Sequence, residues 1–107
     1  MTNWQYPSQD SLIIRVATQV DYWVSPNDNL VGVDSTGGPV TLTLPSALVL
    51  EAGHSIIVKD ERGAAVANPI TVVTEGAETI DGLDTSVINT AYGARAFYAA
   101  DGNWSVL

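Results

Sequence analysis

Apolar and polar residues alternate along this chain over short distances, and never at a helical period. No long window repeats apolar positions at three- and four-residue spacing between helix caps. Short β-branched runs bounded by Gly, Pro, Asn and Asp stand there instead. They predict strands near Leu12–Val16, Val20–Val24, Leu30–Asp34, Val40–Leu44, Ser55–Lys59, Ile70–Val73, Ser86–Asn89, Arg95–Ala99 and Trp104–Leu107. The cleanest alternation is Val40–Leu44, with Val40, Leu42 and Leu44 on one face and Thr41 and Thr43 on the other. Asp21-Tyr22-Trp23-Val24 is aromatic and β-branched, which suits a pleated surface.

The interruptions have their own chemistry. Ser25-Pro26-Asn27-Asp28 favours a turn, because proline fixes φ and Asn and Asp bond their own backbone. Gly37-Gly38-Pro39, Glu61-Arg62-Gly63, Asn68-Pro69, Glu75-Gly76 and Asp81-Gly82 read as further turns. Asp101-Gly102, between two strand-like runs, is the best hairpin candidate. Ser46–Ala52 has room for a single helical turn. No strict internal repeat is legible. The fold class expected is all-β: a compact antiparallel sandwich or barrel of short strands. Such a fold has edges to hide, and pairing them between identical chains in closed symmetry is a common solution.

Residues 1–19 carry Trp4, Tyr6 and Pro7 before any regular pattern. They are expected to form an N-terminal arm, with residues 20–107 as the β-rich trimerising domain. Large aromatics at a terminus gain most by leaving water, which makes this arm a candidate docking segment.

Composition narrows the function. The 107 residues suit one domain. Twelve Asp and Glu face four Lys and Arg, for a formal charge of −8. That balance disfavours nucleic acid, which needs clustered cations. Apolar runs are too short for a membrane helix. Without cysteine there is no disulfide, thiolate chemistry or Cys-ligated zinc. The opening Met-Thr-Asn-Trp-Gln-Tyr-Pro lacks a basic-then-apolar signal, so synthesis in the cytoplasm is expected.

Candidate chemistry is thin. His54 is the single histidine, and its neighbour Ser55 would point to the opposite face of a strand, so no triad is expected. Asp60-Glu61, Glu75 with Glu78, and Asp81 with Asp84 are acid pairs of the type glycosidases use, yet all lie in turn-rich segments where such residues belong anyway. Asp81-Gly82-Leu83-Asp84 lacks the ligand series of a helix-loop-helix calcium site. Gly37-Gly38 lacks the lysine of a phosphate loop. Tyr22, Trp23, Tyr98 and Trp104 could stack sugars or anchor a core or interface. No cofactor, no metal and no enzymatic activity are expected.

From Tyr22 onward the chain resembles a module that recurs in bacteriophage virion proteins, especially tail fibres and small particle-surface proteins. The matching phrases are Tyr22–Leu30, Val33–Pro45, Gly53–Asp60, Gly63-Ala64-Ala65, Asn68–Val72, Glu78–Gly82, Ile88-Asn89 and Asp101–Trp104. The order of the phrases, more than any one of them, carries the likeness. The resemblance implies a β-rich, trimer-forming structural module without catalytic residues. Residues 1–19 lie outside it.

Two roles follow as expectations. The first is a trimeric capsid decoration (cement) protein on the outer surface of a tailed-phage capsid, partnered by itself and by the major capsid protein. The shortness of the chain and its opening Met favour this role. Trp4, Tyr6 and Arg15 are then the capsid-contact residues. The alternative is a tail fibre or spike component that meets other tail proteins and binds a host glycan through Trp23 and Trp104.

Overall fold

The computed structural model describes residues 14–107. Among these residues, nine strands form two sheets. In chain order they are β1 (Arg15–Thr18), β2 (Tyr22–Trp23), β3 (Leu30–Val33), β4 (Val40–Leu44), β5 (Ser55–Asp60), β6 (Ile70–Thr74), β7 (Thr85–Ile88), β8 (Ala94–Ala100) and β9 (Asn103–Val106). The first sheet runs β1-β3-β5-β8-β9 and the second β2-β4-β6-β7. A 3-10 turn, Ala47–Val49, occupies the segment where one helical turn was expected.

The chain is all-β, but the sheets are mixed, which corrects the expectation of an antiparallel sandwich or barrel. From β1 to β6 the strands alternate between the two sheets, so β3 to β6 each stack parallel on the strand two earlier. β1, β3 and β5 are parallel, as are β2, β4 and β6. The chain therefore winds three rungs: β1 with β2, β3 with β4, and β5 with β6. Two antiparallel additions finish it. β7 folds back on β6, and the β8–β9 hairpin folds back on β5.

The period-two pattern places the core between the sheets. Val40, Leu42 and Leu44 of β4 are fully buried, as are Ile56 and Val58 of β5 and Ile70 and Val72 of β6. Phe97, Ala99 and Trp104 close the same core from the hairpin. Each such aliphatic side chain contributes roughly 1.5–3 kcal/mol by leaving water. The β8–β9 turn is the expected Asp101-Gly102 pair. Both residues have positive φ, 54° and 77°, the conformation a two-residue I′ hairpin requires.

Candidate functional site

Among the described residues the two ends of the first sheet differ, and the difference defines the candidate site. At the far end, the edge of β9 is covered. The Trp104 N–H donates to the Thr79 carbonyl at 2.9 Å, and the Asp81 N–H donates to the Trp104 carbonyl at 3.0 Å. The Val106 N–H donates to Asp81 Oδ1 at 3.1 Å, and Asn103 Oδ1 accepts the Thr79 N–H at 2.9 Å. Asp81 and Gly82, both at positive φ, turn this covering segment sharply. An edge blocked this way is not a template for further pairing.

At the near end, β1 and β2 are the outermost strands of their sheets among the described residues. Leu30 N–H donates to the Ile14 carbonyl at 3.3 Å and Asp34 N–H to the Thr18 carbonyl at 2.9 Å. In a parallel ladder the residues facing the neighbour alternate. Ile14, Val16 and Thr18 thus turn their backbone groups to β3, and those of Arg15 and Ala17 point away from it. On β2, Val24 N–H donates to the Thr43 carbonyl at 2.8 Å, which by the same alternation points the Trp23 backbone away from β4. The inward side chains of this rung, Val16 and Tyr22, pack on the core yet stay only half-buried. Ile14, Val20 and Trp23 around them are exposed, Trp23 at 67%.

Beside this end lies a cleft of about 590 Å³ where the corners of all three rungs meet. Arg15, Thr18, Gln19, Asp34, Glu61 and Arg62 line it. Arg15 reaches from β1 across β3 to Glu61, with Nε–Oε2 2.8 Å and Nη2–Oε1 2.5 Å. Its hydrogen bond and charge hold the Glu61 carboxyl below its ordinary range, and Glu61 in turn raises Arg15. The pair crosses above Gly32, where no side chain stands in its way.

Behind the cleft, Asp60 ends β5 fully buried. Its Oδ1 accepts the N–H groups of Arg62 at 3.2 Å and Gly63 at 3.1 Å. Its Oδ2 accepts those of Ala65 at 3.1 Å and Tyr92 at 2.9 Å. Burial alone pushes this carboxyl up. The backbone donors outweigh it, and the group lies below the ordinary carboxylate range.

The acid pairs considered for hydrolysis are placed for other work. Asp60 anchors two loops from the interior, while Glu61 lies on the outer face against Arg15. Glu78 accepts from Ser46 Oγ at 2.6 Å and the Ala47 N–H at 2.9 Å, which fixes the 3-10 turn. Asp81 holds Val106, and Asp84 is exposed. Among the described residues, no group of three or more His, Asp or Glu is placed to hold a metal ion.

The two tryptophans of the glycan alternative part company. Trp104 is 1% exposed, and its indole N–H donates to the Pro45 carbonyl at 3.1 Å. It is a core residue and offers no stacking face, a correction to the expectation that it binds sugar. Trp23 keeps its exposed face on the outer surface of the second sheet, beside Thr43. Of the expected capsid contacts, Trp4 and Tyr6 lie outside the described residues. Arg15 belongs to β1, so the described part of segment 1–19 includes a strand of the first sheet. The role of Asp60 escaped the sequence reading. Its signal is an aspartate ending a strand three residues before a glycine, the spacing of a side-chain-capped turn. The cleft left no signal, because its residues come from three distant corners.

No protein-family model matches the chain, and no match is found among curated proteins.

Proposed function

We propose that this chain is a non-enzymatic structural protein of a tailed bacteriophage particle: a homotrimeric decoration protein that binds the outer capsid and stabilises it. The observation that carries this reading is that, among the described residues, the β9 edge is covered by its own chain while β1 and β2 present two strand edges over the half-buried Val16 and Tyr22. Such strand edges can pair with a further strand. The resemblance of the ordered phrases to phage virion modules suggests the setting. The mechanism is mass action: a protein that binds only the assembled shell stabilises it, and three linked weak contacts act as one strong one.

The test is to image purified particles by electron cryo-microscopy and to measure occupancy after deleting Met1–Asp10. Density on the capsid lattice supports the reading, and density confined to the tail refutes the capsid assignment. Undiminished occupancy after the deletion removes Trp4 and Tyr6 from the contact.

One observation favours a second reading, a tail component that binds host glycan. Trp23 is exposed on a flat sheet face, in a row with Thr43, Val73 and Thr85. An aromatic face among hydroxyls suits a sugar. Binding on a glycan array that disappears in Trp23→Ala, with the fold intact, would favour this reading over the capsid role.

A further inference from the structure

Tyr92 is strained without being buried. It is a bulky residue at φ 60°, in the left-handed region. Its ring is 58% exposed and lies outside the core cluster, so burial does not offset the strain. The conformation is imposed from below. Buried Asp60 Oδ2 accepts the Tyr92 N–H at 2.9 Å, and Lys59 Nζ donates to the Tyr92 carbonyl. Lys59 Nζ also stands 5.9 Å from the ring centroid, within cation–π range. The ring rests against Gly63, where an added Cβ would collide with it. Strained residues that their surroundings over-determine cluster at ligand clamps and active sites.

The ring borders the cleft, because Gly63 adjoins Arg62, which lines it together with Asp34 and Glu61. The cleft volume falls within the roughly 300–1,000 Å³ of small-molecule sites. The Arg62 side chain is 63% exposed, with Nε 4.0 Å from Asp34 Oδ2, and Arg15 holds Glu61 in place. Charges at this corner balance. Arg15, Lys59 and Arg62 stand with Asp34, Asp60 and Glu61, and the remaining nine acids and Arg95 carry the whole formal −8. A charged ligand finds little net attraction there, and an apolar ligand would bury ions. A neutral ligand rich in hydroxyls suits both conditions. Each hydroxyl can donate to a carboxylate or accept from a guanidinium, and the apolar face of a sugar ring can lie on an aromatic one.

We propose that this corner binds a neutral saccharide, with Tyr92 as the stacking platform and Arg62, Asp34 and Glu61 as its hydrogen-bonding groups. The ion pairs already fix these side chains, so binding need not order them. The site lies at strand ends of the first sheet, apart from Trp23 on the second. It requires neither the capsid nor the tail assignment.

The test is an NMR titration of the isotope-labelled full chain. The probes are hexasaccharides of glucose, galactose and N-acetylglucosamine, and one of the same length containing glucuronate. At least one neutral sugar should give saturable amide shifts at Asp34, at residues 61–63 and at Tyr92, with Trp23 unmoved. Arg62→Ala keeps the backbone bond from position 62 to Asp60 and should weaken that binding about tenfold or more. Tyr92→Gly removes the platform while relieving the backbone, and should weaken it comparably. No saturable binding of any neutral sugar up to about 10 mM would overturn the proposal. So would a preference for the acidic sugar, shifts confined to Trp23, or undiminished binding in both folded variants. Should the variants fail to fold, the wild-type shifts decide: Arg62 and Tyr92 unmoved at saturation refutes the site.

Discussion

Glu61 lays its carboxylate over the Cα of Gly32, so that a Cβ added at Gly32 would lie inside the van der Waals contact of that carboxylate. The glycine is what lets the Arg15–Glu61 pair cross the sheet. Gly32→Ala should displace the flexible Glu61 carboxylate and break its pair with Arg15, at a net cost under about 1 kcal/mol, because the pair is partly exposed and alanine is otherwise favoured over glycine in a strand. In a Glu61→Ala background the same change should cost much less, because the obstructing group is gone. A urea-denaturation double-mutant cycle checks this, and additive effects would contradict the contact.

Asp60 makes the acid limb of stability predictable. Its folded carboxyl lies below the ordinary range, as do those of Glu61 and Asp34. A depressed group contributes stability that is fully present above its unfolded value, near 4, and is lost as pH falls through the folded value. Urea midpoints should therefore hold from pH 7 down to about 5 and then fall. Asp60→Asn should cost about 2–3 kcal/mol at pH 7, since one amide oxygen cannot receive four N–H donors. The variant should also show a flatter decline between pH 5 and 3 than the wild type.

Tyr22 governs the opposite limb. Its hydroxyl donates to Asp28 Oδ2 at 2.7 Å, and this bond, with burial and the carboxylate charge, raises its pKa to about 12. A raised group contributes stability that is present below the unfolded value, near 10, and is lost as pH rises through the folded one. Ultraviolet titration should show a phenol component near pH 12 that is absent in Tyr22→Phe.

Much of the secondary structure was legible because the two-residue period and its breakers are local signals. Val40–Leu44 has the bounds its alternation predicts, and Asp101-Gly102 makes the expected turn. Strand direction was not legible. Arg15 stacks on Leu30 and Leu30 on Ile57, while Tyr22 stacks on Leu42 and Val40 on Ile70. These intervals are unequal because each rung carries corner loops of different length, so the stacking leaves no constant period. The burial of Trp104 was readable in retrospect. A two-residue hairpin pairs it with Ala99, on the face that Phe97 shares. The cleft was hidden for a simpler reason: Arg15 and Glu61 are 46 residues apart, and neither sits in a motif that names the other.

Tyr92 offers the sharpest test of local strain. It is a bulky residue at φ 60°, in the left-handed region that costs a non-glycine residue about 1–2 kcal/mol. Three contacts hold it there. Its N–H donates to Asp60, its carbonyl accepts from Lys59 Nζ, and its ring lies against Gly63. Ordinarily an alanine variant outside turns is more stable than the glycine variant. Here the order should invert. Tyr92→Ala loses the ring and keeps the strain, whereas Tyr92→Gly loses the ring and releases it. Tyr92→Gly should therefore be the more stable of the two by about 1 kcal/mol in urea unfolding. In Asp60→Asn that difference should shrink, because the anchor forcing the conformation is weakened. Equal stabilities of the glycine and alanine variants in the wild-type background would show that the turn carries no strain.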